Sequence, residues 1–333
     1  MKIGMTYDLK DDYLKRGLSY EEAAEFDSEV TIAGIENVLK KSGHTVDRIG
    51  NITDLVSRLA SGGTWDMVFN IAEGLKGLGR EAQVPALLDA WGIPYTFSGP
   101  ELMSLTLHKA MTNAVVRSLG VATADNFLVR NVEEISLVNL PFPLFAKPVA
   151  EGTSKGISSR SLLHNKAGLR SICTELLENF KQPVLVETFL PGREFTVGLL
   201  GSGSDSRIAG VIEVAAVGKG DSSAYTYENK QEWKDRVSYE LVDDEAAMSA
   251  ASLAIKAWRG MGCLDAGRVD VRLGRDGAPR FIEVNPLPGL NPESSDLPIL
   301  WALGGGKYES LIKEILHSAI LRQGRVEAYR GAA

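Results

Sequence analysis

The sequence predicts an α/β protein built from two or three lobes, on three observations. At 333 residues the chain exceeds the usual size of one domain and can bury more than one core. Strand and helix patterns alternate through its first part, the βαβ order of a parallel sheet. β-rich segments broken by Gly, Ser and Pro then lead to a hairpin around an Asp-Gly turn, which reads as α+β.

Taken in order, KIGMTY (2–7), TVDRIG (45–50) and DMVFNIA (66–72) are expected as strands, separated by helices near 20–41 and 52–61. EAQVPALLDAWG (81–92) is a further helix leading into IPYTFSGP, so the first α/β lobe spans 1–98. A helix at about 104–119 opens the second lobe, 99–190, which continues with strands at NFLVR, FPLFAKPV and VLVETFL. The third lobe, 191–325, holds strands at REFTVGLL and IAGVIEVAAV, a helix over 244–262, the hairpin AGRVDVRLGRDGAPRFIEVN and a last helix over about 305–322. No internal repeat or low-complexity linker separates the lobes.

Composition excludes several classes of function. The 44% hydrophobic and 24% charged content belongs to a globular chain, and 36 basic against 43 acidic residues (net −7) argue against nucleic acid as the main partner. Cys173 and Cys263 have neither disulfide-framework nor zinc spacing and are expected as core thiols. The N-terminal MKIGMTYD lacks a signal-peptide pattern and no apolar run approaches a membrane span, so a cytoplasmic protein without a membrane partner is expected.

The hairpin carries the clearest chemistry. Side chains alternate along a strand, so Arg268 and Asp270 share one face, as do Glu283 and Asn285 on the return strand. If the strands pair in register, Asp270, Glu283 and Asn285 converge as oxygen donors suited to Mg²⁺, with Arg268 beside them. The competing reading is a solvent-facing edge with cross-strand ion pairs, which the rigid Pro286, Pro288 and Gly289 turn that follows disfavours. KPVAEGTSKGIS (147–158) offers Lys147 and a loop whose N–H groups can cradle phosphate, though a plain hairpin turn explains it equally well. VETFLPGREFTVGLL (186–200) sets Glu187 and Glu194 about a Pro-Gly turn, as acceptors for an adenine amino group and ribose hydroxyls or as solvated surface residues.

Together these segments resemble the ATP-grasp superfamily, and within it the D-alanine–D-alanine ligases, over almost the whole chain. Five ordered matches carry the resemblance: Lys109, KPVAEGTSKGIS, VETFLPGREFTV, YTYENK and RVDVRLGRDGAPRFIEVNPLPG. The resemblance implies an ATP-grasp fold, with a Rossmann-like first lobe and two α+β lobes enclosing ATP. It also implies an enzyme that phosphorylates a carboxylate and lets an amine attack the acyl-phosphate. By the same resemblance Lys109 and Lys147 hold ATP phosphates, Glu187, Leu190 and Glu194 surround adenine and ribose, and Asp270, Glu283 and Asn285 bind two Mg²⁺, with Mn²⁺ as a substitute. Arg268 and the Gly289 N–H stabilise transferred and developing charge. Ser294 holds the carboxylate of the second amino acid, while Thr153, Ser154 and Lys230 lie in loops that close over the reaction. Members are often homodimers acting on small amino-acid-like substrates.

Departures concentrate on the first-substrate side. The family's Gly-Gly-x-Ser strand end and the glutamate holding the first ammonium are replaced by TYDLKDDYLKRGLSYEEAAEFDSEV, where Glu25, Asp27 or Glu29 is expected to supply the charge. The family's His-Gly is Glu73-Gly74, followed by Arg80 and Glu81; Gln231 stands for a loop tyrosine and Ser295 for a leucine. A carboxyl donor larger or more polar than D-alanine is therefore expected, unless Glu73 and Arg80 simply pair with each other. The rival readings are an ATP-grasp enzyme with a non-amino-acid carboxylate or another nucleophile, and a degenerate nucleotide-binding protein. The complete Arg268, Asp270, Glu283 and Asn285 set argues against the last.

Overall fold

The structure is a computed structural model describing the backbone of residues 1–216 and 237–331 and the side chains of 1–215 and 238–324. The YTYENK segment (225–230), with Lys230, and the Gln231 that follows it lie outside the described residues. Among those described there are three sheets.

The first sheet has the order β2-β1-β3, from β1 (Lys2–Tyr7), β2 (Thr45–Gly50) and β3 (Met67–Ile71), all parallel. The helices α1 (Lys10–Lys15), α2 (Glu29–Lys41), α3 (Ile52–Ala60) and α4 (Gln83–Trp91) connect and flank them. The helix expected near 20–41 begins only at Glu29. Ahead of it, Ala23 and Phe26 pack on Tyr13 in a small core of their own, and Asp27 bridges back to Leu9. Those contacts hold residues 16–28 as an irregular loop, because a continuous helix would swing Phe26 away from Tyr13.

The helix expected at about 104–119 is two, α5 (Pro100–Leu107) and α6 (Lys109–Ser118). The break falls at His108, whose imidazole accepts the Met111 N–H (3.3 Å) and caps α6. It sets Lys109 at the start of α6, where its ammonium reaches inward to the Glu151 carbonyl (2.6 Å).

The second sheet is antiparallel, ordered β4-β7-β5-β6, from β4 (Asn126–Val129), β5 (Leu144–Pro148), β6 (Leu162–Leu163) and β7 (Val184–Thr188). Helix α7 (Lys166–Phe180) covers it with Leu169, Ile172, Cys173 and Leu176, a stripe at helical spacing that the sequence reading did not assign. Cys263, like Cys173, is buried, and both are the core thiols expected.

The third sheet is ordered β10-β9-β8-β11-β12, from β8 (Glu194–Leu200), β9 (Arg207–Ala216), β10 (Val237–Leu241), β11 (Ala266–Leu273) and β12 (Pro279–Asn285). One face packs on α8 (Glu245–Met261), whose Ala247, Ala250, Ala251, Ala254 and Ala257 let the sheet come close. Gly267 is required there: a side chain would meet the Asn285 carbonyl at 2.5 Å and the Trp258 ring at 2.6 Å. The chain ends in α9 (Asp296–Leu303) and α10 (Tyr308–Gly331). Leu311, Ile312 and Ile315 of α10 share a core with Ile32 and Ile35 of α2, and buried Asp265 accepts from Phe97 N (2.8 Å), Ser318 Oγ (2.9 Å) and Arg322 (3.0 Å). The first lobe, the third sheet and the last helix are thereby locked together.

Strict alternation on β12 is interrupted. Asp270 pairs with Glu283 but Val271 with Phe281, so Ile282 is the extra residue of a β-bulge. Phe281 and Val284 consequently both enter the core, while Ile282 and Glu283 both line the open side.

Candidate active site

Arg268, Asp270 and Arg272 share the open face of β11, while Val269, Val271 and Leu273 fill the core behind it. Because β11 is central, each meets two neighbours. Arg272 faces Glu194 across β8 (3.2 Å), Asp270 accepts from Thr196 Oγ1 (2.9 Å), and Glu283 and Asn285 stand opposite Asp270 and Arg268 across β12. Arg268 pairs with Asp270, reaches Asp296 through Nε (3.4 Å) and lies 3.9 Å from Glu283. Asn285 Nδ2 donates to Glu283 Oε1 (3.2 Å) and Lys109 approaches Oε2 (3.4 Å).

Burial works against an ionised Glu283, but Lys109, Arg268 and Lys147 outweigh it and hold its carboxyl far below the usual range. Asp270 goes the other way: burial first, with repulsion from Glu283 and Asp296 against the pull of Arg268, pushes it up to about 6. Two facing carboxylates that disfavour each other are relieved by a shared cation. Among the described residues no cluster of three or more His, Cys, Asp and Glu stands at metal-holding separation. Asp270, Glu283 and the Asn285 amide oxygen are hard donors of the kind that would suit Mg²⁺, with phosphates and water as its other ligands.

Two cavities meet at this face. The first, about 1080 Å³ with its mouth, runs between the second and third sheets and is floored by Lys147, Glu187, Leu190, Glu194 and Ile282. Lys147 pairs with Glu187 (2.8 Å), which also accepts from Asn113 Nδ2 (3.1 Å). Burial works against the Lys147 ammonium, yet Glu187 and Glu283 keep it above the ordinary lysine value. The loop over the cleft bends through Thr153 (φ 51°) and Ser154 (φ 57°), left-handed conformations that cost of order 1 kcal/mol or more in non-glycine residues.

The second cavity, about 1650 Å³ with its mouth, lies between the first lobe and the 286–297 segment. Arg268, Asp296, Tyr239, Gly152 and Thr153 line both cavities. Gly289 and Ser294 belong to the second, and a side chain at 289 would strike Ser295 Oγ at 2.7 Å.

The family model described as "D-ala D-ala ligase C-terminus" matches residues 109–317. The D-alanine–D-alanine ligase of Bordetella petrii is 31% identical over 292 residues, covering 86% of this chain and 85% of its own length. A Sinorhizobium fredii protein called "uncharacterized protein y4sG" is 33% identical over 260 residues, 77% of this chain and 75% of that one. This chain belongs to the D-alanine–D-alanine ligase family. It is an enzyme of the ATP-grasp ligases, which form carbon–nitrogen bonds. The fold agrees: the Bacillus anthracis D-alanine–D-alanine ligase, solved with ATP, superposes with TM-score 0.73 at 20% identity, over 98% of this chain and 99% of that one. The VanG D-Ala:D-Ser ligase of Enterococcus faecalis gives 0.71 at 18% identity, over 96% and 99%.

Within this family frame the residues singled out in the sequence divide clearly. Lys109, Lys147, Thr153, Ser154, Glu187, Leu190, Glu194, Arg268, Asp270 and Glu283 all line the first cavity. Asn285, Gly289, Ser294, Glu73, Glu25 and Asp27 line the second. Glu29 lies outside both: exposed on α2, it pairs with Arg48 at 2.7 Å. The Glu73–Arg80 pairing weighed from sequence does not form. Arg80 turns to Glu25 (2.9 Å) and the Ala150 carbonyl (3.0 Å), and Glu25 also accepts the Gly152 N–H (2.7 Å). Burial opposes an ionised Glu25, but Arg80 and Lys155 outweigh it and lower its pKa.

Several site residues escaped the sequence reading. Asn113, Lys155, Asp296 and Arg272 each touch a residue named above. Only Arg272 left a signal, standing at the same period-two spacing as Arg268 and Asp270. Among the described residues no helix is long and apolar enough to cross a membrane.

Proposed function

We propose that the protein is an ATP-dependent ligase joining two amino acids or close analogues through an acyl-phosphate, acting as a cytoplasmic enzyme on small molecules. One observation carries the reading: Arg268 lines both cavities, so the residue suited to phosphoryl charge also borders the chamber that would hold the carboxylate. In this reading residues 1–98 receive the carboxyl donor, 99–190 and 191–325 clasp the nucleotide, and Ser294 takes the acceptor's carboxylate.

A donor carboxylate oxygen attacks the γ-phosphorus of ATP, the bond to the bridging oxygen breaks, and ADP leaves with that electron pair. The acceptor's uncharged amine attacks the acyl carbon, the bond to phosphate breaks, and nitrogen gives up a proton as the amide forms. Lys109 and Lys147 neutralise phosphate oxygens, and Glu187, Leu190 and Glu194 surround adenine and ribose. Arg268 and the Gly289 N–H face the oxygens on which charge develops, the preorganised electrostatic role that phosphoryl and acyl transfer demand. Asp270, Glu283 and Asn285 would hold Mg²⁺, which when bound offsets the negative charge of the phosphates. Thr153 and Ser154 in their loop keep water from the acyl-phosphate.

The test is ADP release from Mg·ATP in pools of amino acids, with product masses read afterwards. An adduct equal to two substrates less one water is expected. ATP binding without ADP release in any pool would overturn the ligase reading in favour of the degenerate one.

A further inference from the structure

We propose that the carboxyl donor carries a second positive charge on its side chain, as a diamino acid does, and that Glu73 and Glu81 receive it. The inference rests on the ligase reading above and asks what its donor chamber is built to hold.

The charges facing that chamber fall into two groups. Glu25 is consumed by Arg80 (2.9 Å), the Gly152 N–H (2.7 Å) and Lys155 (3.7 Å). Asp296 is engaged by Arg268 (3.4 Å) and the Tyr239 hydroxyl (2.8 Å). Asp27 has the Thr31 hydroxyl and the Lys10 charge near it. Glu73 and Glu81, by contrast, both line the chamber, and their side-chain carboxylates accept no hydrogen bond and form no ion pair with a described residue, although the Glu73 backbone N–H donates to Asp8. Arg80, the cation nearest to them in sequence, gives its contacts to Glu25 and the Ala150 carbonyl; its field, like that of Lys109 on Glu81, draws on these carboxylates without an ion pair.

Two carboxylates that line one chamber and repel each other, with no hydrogen-bonded partner on either side chain, disfavour the dianion. Burial, against the pull of Arg80 and Lys109, pushes Glu81 up to about 7, and burial followed by repulsion from Glu81 pushes Glu73 well above its ordinary value. Without a ligand, protons balance this wall; with one, an ammonium can replace them. The α-ammonium of a simple amino acid answers a single negative charge. Asp27, Glu73 and Glu81 together offer more than one, which D-alanine's methyl group cannot use. A side-chain ammonium or guanidinium can.

Three measurements test this. ADP release is compared for lysine, ornithine and 2,4-diaminobutyrate, in both configurations, against their neutral isosteres 2-aminoheptanoate, norleucine and norvaline, and against D-alanine and glutamate, with product mass identifying the carboxyl donor. A diamino donor favoured at least tenfold in kcat/KM over its neutral isostere is expected. That margin should collapse in Glu73→Gln or Glu81→Gln, each of which keeps shape and removes charge. Calorimetry of lysine and 2-aminoheptanoate binding, in two buffers of different ionisation enthalpy, should show tighter binding and proton release for lysine alone. Products formed best from neutral or acidic donors would overturn the charge inference and leave the ligase reading standing. Were no product formed from any pool, the ligase reading would fall, and equal binding of lysine and 2-aminoheptanoate would dispose of this inference as well.

Discussion

Asp270 and Glu283 stand directly opposite each other on β11 and β12, yet their carboxyls are held differently: Glu283 is surrounded by Lys109, Arg268 and Asn285, Asp270 by Arg268 and Thr196. The bulge at Ile282 makes this meeting compatible with a filled core behind it. Glu283 is therefore the better ionised of the two and the stronger candidate to hold a cation.

If Glu283 holds the metal as proposed, Glu283→Gln should lower kcat at least 100-fold, roughly 2.7 kcal/mol of barrier, because the ligand would lose its charge while its shape persists. The far-UV spectrum should not change. A wild-type rate in this variant would remove Glu283 from the metal set.

Arg268→Lys should lose more than tenfold in kcat/KM. The guanidinium spans Asp270, Asp296 and the approach to Glu283 with separate nitrogens, and a single ammonium cannot serve them all. Retention of over a tenth of the activity, a barrier change under about 1.4 kcal/mol, would contradict the assignment.

Lys147→Ala should raise KM for ATP about tenfold or more and lower the melting temperature, since Glu187 keeps only its Asn113 contact in the buried floor. A lower melting temperature with unchanged ATP dependence would return Lys147 to a purely structural part.

The polar ladder was legible in the sequence because alternation on a strand is a local rule: Arg268, Asp270, Glu283 and Asn285 follow from period two and an Asp-Gly turn. The bulge was not, since Ile282 reads as an ordinary core residue until Phe281 is seen to take its place. The break at His108 depends on a side-chain cap rather than on Pro or Gly, and so left the 104–119 stretch looking continuous. The Arg80 partner was beyond reach for a different reason. Glu25 lies 55 residues away, on a loop shaped by Tyr13 and Phe26, and nothing in local pattern separates it from Glu73 as a partner.

Glu25→Gln should weaken the tie between the first lobe and the 151–156 loop, because Arg80, Lys155 and the Gly152 N–H all converge on this carboxylate. Limited proteolysis should cut that loop faster in the variant, and KM for both ATP and donor should rise together. Protection equal to wild type would show that the loop does not depend on Glu25.

The last prediction concerns the sign of the pH dependence of stability. Folded Glu81 has its pKa pushed up to about 7 from an ordinary value of about 4.5, first by burial. Between those values the folded protein holds a proton that the unfolded chain has released, so stability falls as pH rises through this window and the loss is complete above about pH 7. Glutamine has nearly the same shape and does not titrate. Ligand-free Glu81→Gln should therefore melt several degrees higher than wild type at pH 8, on a scale of about 2–4 °C per kcal/mol, with the gain shrinking towards zero near pH 4. Glu73, also shifted upward by burial and by Glu81, should behave in the same direction when replaced alone, and less than additively when both are changed, because each relieves the other. Thermal unfolding at several pH values decides it: an equal gain at pH 4 and pH 8 would trace the effect to packing, and a lower melting temperature at pH 8 would mean that ionised Glu81 has a stabilising partner in the ligand-free protein.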